Sequence, residues 1–191
     1  ESKTSFPEQA IFFYLSQVTT AYNRYKIDAR TEIDIYLPEY KIGMEYDGAS
    51  YHKGKKAEER EARKQDKLNE LGIVLVRVRE IEGETGEHTI RAKSGANDVE
   101  LSQMLNTLVT LVSNLVNFTL IADIDVMRDR NKIYEQYIQS EKENSLAVKN
   151  PQLAKEWNFE KNGTLLPEYV SVHSNKKVWW KCKEGHEWQA V

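Results

Sequence analysis

The chain has 191 residues, 40% of them hydrophobic and 30% charged, with 9 Gly, 4 Pro, 1 Cys and a formal net charge of -3 at pH 7. This composition excludes collagen-like, disordered and membrane-spanning classes, and a single Cys excludes a disulfide scaffold and points to a reducing, cytoplasmic compartment. At ~150 residues per domain the length allows one domain with a small appendage, and the acid excess argues against a polycation that coats nucleic acid. The apolar stretch Ala10 to Leu15 is too short for a signal core or a membrane span, so neither is expected.

Ser5-Phe6-Pro7-Glu8 reads as a helix start, with a Ser cap, Pro in the first turn and a Glu placed to reach back to the cap. Ile11, Phe12, Leu15 and Val18 recur at helical spacing, which predicts a core-facing helix to about Val18. Glu32 to Leu37 alternates polar and apolar residues strictly, Pro38-Glu39-Tyr40-Lys41 is a turn, and Ile42 to Asp47 resumes the alternation before Gly48. That is a half-buried hairpin. Ala57 to Leu71 is a sparsely apolar helix stopped by Gly72, and Ile73 to Arg79 a β-branched strand. Glu80 to Asn97, interrupted by Gly83, Gly86 and Gly95, reads as a loop. Asp98 is expected to cap a helix over 99–118 whose two apolar stripes demand cover, from the chain's own core or from a second copy in a homodimer. A further helix is expected over 125–143. Helix, hairpin, helix and strand in this order predict an α/β fold with a mixed β-sheet flanked by helices.

If Pro38 to Lys41 close the hairpin, Leu37 pairs with Ile42 and Asp34 comes opposite Glu45, with Asp47 further along the same strand. Paired residues on antiparallel strands have Cβ atoms ~4.5–5.5 Å apart, and like charges placed there repel. A bound cation relieves this, and two carboxylates suit Mg²⁺. A polar sheet surface whose acids pair with lysines reads equally well from the spacing. Between Tyr51 and Arg79 nine basic residues face five acidic ones, a surplus of four that a solvated helix face would also show.

Glu8 in the first helix, Ile33-Asp34-Ile35 and Gly43-Met44-Glu45-Tyr46-Asp47-Gly48 on a hairpin, His52, Glu61 and Lys64 before Gly72, and Val76 to Glu80 together resemble the PD-(D/E)XK nuclease superfamily. Within it they are similar to the very-short-patch-repair endonucleases. The resemblance covers Ser5 to Glu80 and implies a restriction-endonuclease-like fold that hydrolyses DNA phosphodiester bonds with Mg²⁺ or Mn²⁺, in bacterial defence or repair. It implies metal ligation by Asp34, Glu45, the backbone carbonyl of Tyr46 and Glu8. It also implies catalytic roles for His52 and Lys64, and phosphate contacts from Lys53, Lys55, Lys56 and Arg77. One departure is plain: Asp47, not Lys, follows Glu45 by two. His52 or Lys64 is the expected substitute for that Lys.

From Asn150 the composition changes. Asn150 to Trp157, Lys161-Asn162-Gly163, Ser174 to Cys182 and Gly185-His186-Glu187-Trp188 are similar to a repeated zinc-ribbon-like module found beside such nuclease domains. The expected division is 1–148 and 149–191. In that module Cys182 and His186 are half of a tetrahedral site completed by a later Cys pair, so the tail reads as a module cut short. This chain is expected to carry no stoichiometric zinc unless the missing ligands are restored. Half a site is also expected to leave Trp179, Trp180 and Trp188 without a core of their own. Two other functions stay open: a nucleic-acid-binding module of the same fold without cleavage, and an interaction protein assembled through the 99–118 helix.

Overall fold

The computed structural model describes residues 4–49, 54–80, 86–172 and 174–191. It divides into two compact units, Ser5–Ile133 and a second containing Tyr134–Val191. The boundary expected from composition, 148/149, lies further along the chain.

The first unit opens with α1 (Phe6–Leu15), capped as predicted by Ser5, whose Oγ accepts the Glu8 N–H at 3.3 Å. The helix stops at Leu15, short of Val18. Then come β1 (Tyr22–Lys26), β2 (Glu32–Leu37), β3 (Ile42–Asp47), α2 (Lys55–Glu70), β4 (Val74–Arg79), β5 (Thr89–Arg91) and α3 (Asp98–Val116), with the first turns of α4 (Val126–Glu143), whose residues from Tyr134 on belong to the second unit. The strands form one mixed sheet in the order β1-β2-β3-β4-β5, antiparallel from β1 to β3 and parallel from β3 to β5. The α/β class and the mixed sheet are as expected. β1 and β5 are additional: β1 falls where no element was expected, and β5 lies within the segment read as loop.

Alternation along β4 sends Val76 and Val78 into a large core with Ile35, Leu37, Ile42 and Met44 from the hairpin, Ala10 to Leu15 from α1, and α3. Leu75 joins a smaller cluster with Ile33, Ile73 and Leu68 of α2. The α2 crossover between parallel β3 and β4 thereby covers the sheet face that bears the polar residues of β3. On α3, Leu101, Met104, Leu105, Leu108, Val109 and Val112 are buried. The middle of both stripes is taken up by this unit's own core, while Leu111, Leu115 and Val116 are only partly buried and Phe118 is 63% exposed. Asn97, not Asp98, caps α3: its Oδ1 accepts the Val99 and Glu100 N–H groups, and Glu100 answers by accepting the Asn97 N–H at 2.9 Å. Asp98 becomes the first helical residue and pairs with Arg130.

The second unit holds three one-turn helices, α5 (Leu146–Lys149), α6 (Pro151–Ala154) and α7 (Phe159–Asn162), and a hairpin of β6 (Val178–Lys181) and β7 (Glu187–Ala190). Its core is Leu146, Trp157, Val170, Val178 and Trp180, with the two indoles edge to face at 5.6 Å. Of Trp179, Trp180 and Trp188, expected to lack a core of their own, Trp180 has one, while Trp179 is half-buried and outside it. The Asn162 side chain bonds both the N–H and the C=O of Trp179 at 2.8 Å, and Trp157 Nε1 donates to the Leu165 carbonyl. Trp188 is 39% exposed, and the Lys161 ammonium sits 4.2 Å from the Trp179 ring centroid. Among the described residues no helix is long and apolar enough to cross a membrane.

Candidate functional site

The β2–β3 register is Leu37↔Ile42, Tyr36↔Gly43 and Ile35↔Met44, so the four-residue turn closes as the alternation predicted. The paired ladder ends there, one residue short of Asp34 and Glu45. The Asp34 carboxylate accepts the Tyr46 N–H at 2.9 Å, which ties the acid to the neighbouring strand. Glu45 is 9% exposed, and Lys64 of α2 donates to its Oε1 at 2.8 Å. The lysine reaches it because α2 crosses over the face on which Glu45 projects.

Electrostatics single out this pair. Burial and then the Asp34 charge push the Glu45 carboxyl up to about 8, while Lys64 and Arg77 pull the other way. Burial likewise raises Asp34, against the Tyr46 N–H and Lys64. A half-buried and a buried carboxylate that share one ammonium are short of positive charge. Asp47, the third acid of the hairpin, is not. It is 3% exposed, and both its oxygens accept from the Arg77 guanidinium at 3.0–3.2 Å, with Arg79 Nε 3.1 Å away. The other arm of Arg77 binds Glu61 of α2.

Arg77 was expected to contact phosphate. Its terminal nitrogens are instead engaged by Asp47 and Glu61, so it acts as the counter-charge that neutralises Asp47 beside the pair. Lys64, one of the two substitutes the resemblance offered for the missing motif Lys, is bonded to Glu45. Glu8 is buried on α1. Tyr46 contributes at both ends: its N–H binds Asp34 and its hydroxyl donates to Glu80 at 2.6 Å. Glu80 also accepts the Ala49 N–H at 2.9 Å, fastening the chain where it leaves β3. His52 and Lys53 lie outside the described residues, as do the side chains of Lys55 and Lys56, whose backbones open α2.

A second cluster of metal-type donors lies in the β6–β7 turn. The Cys182 N–H donates to the His186 carbonyl at 3.0 Å, and the Gly185 N–H to the Cys182 carbonyl at 2.9 Å. Gly185, at φ 87°, supplies the left-handed residue that closes this turn. The closure brings ligand atoms of Cys182, Glu184 and His186 within 4.8 Å of one another. Sequence reasoning found Cys182 and His186 and missed Glu184, although its place between them, one residue before the turn glycine, is the signal that could have found it. His173 lies outside the described residues.

Comparison with known proteins adds one finding. The model of a family described as "Probable Treble clef zinc finger domain" matches residues 153–191, where the sequence suggested a zinc-ribbon-like module. No curated protein and no solved structure matches the chain.

Proposed function

We propose that the first unit is a divalent-cation-dependent nuclease that hydrolyses DNA phosphodiester bonds at Asp34 and Glu45. One observation carries this reading: a half-buried Asp34 and a buried Glu45 on adjacent strands, both carboxyls raised by loss of solvent and Glu45 also by Asp34, beside a third acid that already has its arginine. Such a donor set fits a hard cation such as Mg²⁺ or Mn²⁺, which takes carboxylate oxygens and keeps several waters. Asp34 and Glu45 would hold it, with the Tyr46 carbonyl and Glu8 as the further ligands the PD-(D/E)XK resemblance implies. When bound, the ion supplies Lewis-acid polarisation of the phosphate and a water of lowered pKa. The chain's own groups do the rest. The Tyr46 N–H fixes the Asp34 carboxylate. Lys64, the ammonium bonded to Glu45, takes the phosphate-steadying role that the superfamily gives to the Lys replaced here by Asp47. Asp47, Arg77 and Glu61 hold β3, β4 and α2 together around the pair.

For the second unit the reading is a zinc-binding turn at Cys182, Glu184 and His186, supported by the family match and by the donor types. A second reading of the first unit, a nucleic-acid-binding protein without cleavage, is favoured by the capture of Asp47 by Arg77 and Arg79 at the motif Lys position. Supercoiled plasmid separates the two. With Mn²⁺, wild type should nick it, and Asp34→Asn and Glu45→Ala should not, while all three remain folded. Plasmid bound but never nicked by wild type would favour the binding module, and equal nicking by Glu45→Ala would remove the active site from this pair.

A further inference from the structure

β1 is the edge strand of the sheet, and three tyrosines make its surface unusual. In a regular strand, residues three apart project to opposite faces. Tyr22 and Tyr25 do not. Between them Arg24 takes φ 51°, in the left-handed region that a side chain rarely adopts, and its Nε is tied to Glu32 Oε1 at 3.1 Å. The reversal brings Tyr25 to the same side as Tyr22 and Tyr36. The Tyr25 ring stacks on Tyr36 at 4.6 Å and 27°, and on Tyr22 at 5.7 Å and 21°. The stack is rooted through Tyr36, which packs against the Ile33, Leu68, Ile73 and Leu75 cluster, and it emerges at Tyr22, 48% exposed.

We propose that the Tyr22, Tyr25 and Tyr36 stack binds unpaired nucleobases of the strand whose phosphodiester lies at Asp34 and Glu45; this rests on the nuclease reading of that pair. Three observations favour a base over other occupants. Near-parallel rings ending in an exposed ring are the geometry that another planar π-system extends. Tyr36 and Asp34 are two residues apart on β2, about 6.6 Å at ~3.3 Å per residue, so stack and carboxylates are within reach of one strand. Lys26 at the end of β1 and Arg30 in the turn to β2 are exposed and make no ion pair among the described residues, which leaves two cations at this end of the edge for phosphates. A protein strand adding to the β1 edge would instead need an uninterrupted row of backbone donors and acceptors, and Arg24 breaks that row.

The test is anisotropy of a fluorescein-labelled single-stranded 20-mer and of the same sequence as a blunt duplex, in EDTA, with the full chain. Tyr22→Ala should weaken single-strand binding about tenfold and Tyr22→Trp should restore it, while both leave duplex affinity and melting temperature unchanged. The proposal is overturned if wild type does not bind the single strand, if Tyr22→Ala binds it as wild type does, or if single strand and duplex are weakened alike. It is also overturned if Tyr22→Ala abolishes a concentration-dependent dimer and leaves oligonucleotide binding intact, which would make β1 a protein edge. Because no cleavage is read, a Tyr22-dependent single-strand affinity in a protein that never nicks plasmid would leave the stack standing and remove only the nuclease reading.

Discussion

Glu45 concentrates the energetic tension of this protein. Its carboxyl prefers to stay protonated in the fold, at about 8 against an ordinary value of 4.5. Between these values the folded state holds a proton that the unfolded chain releases, so stability falls as pH rises through that window. Asp34, raised in the same direction, adds to the same slope. Metal reverses the sign of the effect, because a bound cation requires the deprotonated pair. Two melting series check this. In EDTA, wild type should lose stability from pH 5 to 8.5 more steeply than Glu45→Gln, which has no proton to lose. With Mn²⁺, the gain in melting temperature of wild type should grow over the same range, and Glu45→Gln should show little gain at any pH. Parallel melting curves for the two proteins in EDTA would mean that Glu45 is not the tense group.

The β2–β3 hairpin is the element that assembles the site, and its tightest point is Gly43. A Cβ there would lie 3.0 Å from Ile33 Cδ1 and 3.2 Å from its Cγ2. Ile33 is fully buried and immediately precedes Asp34, so it cannot yield without moving the acid. Gly43→Ala should therefore cost about 1–3 kcal/mol in urea unfolding and reduce plasmid nicking beyond the fraction unfolded. Wild-type stability with wild-type nicking would show that Ile33 has room. The hairpin was legible in the sequence because alternation and the Pro38 to Lys41 turn fix the register from Leu37↔Ile42 to Ile35↔Met44; beyond it the alternation fails, and Ile33 joins the α2-side cluster while Ile35 joins the main core. β1 was not, because the left-handed Arg24 destroys the period-two pattern by which a strand is read. β5 is three residues long and flanked by glycines, too short to show a period at all. Asn97 and Asp98 are both good caps, and only the answering bond from Glu100 decides between them. The acid pair and Lys64 could be found from spacing and resemblance. The capture of Arg77 by Asp47 and Glu61 could not, since it depends on the angle at which α2 crosses the sheet.

At the scale of the whole molecule, the two compact units differ in the donors they would offer a metal: the proposed carboxylate pair in the first, and the Cys182, Glu184 and His186 cluster in the second. Hard divalent cations and zinc should sort accordingly. Among the described residues, three protein donors fall short of the four of a structural zinc site. Zinc should thus bind reversibly at the β6–β7 turn, be removed by dialysis against EDTA with little loss of folded signal, and fail to return in Cys182→Ser. Elemental analysis after dialysis, with near-ultraviolet circular dichroism, reads both; zinc retained by Cys182→Ser would place the metal elsewhere. The central claim is that Asp34 and Glu45 form one divalent-cation site, and calorimetric titration with Mn²⁺ at pH 8 tests it most directly. Wild type should show one Mn²⁺ site that persists in Cys182→Ser and disappears in Glu45→Ala; an unchanged site in Glu45→Ala would contradict the account.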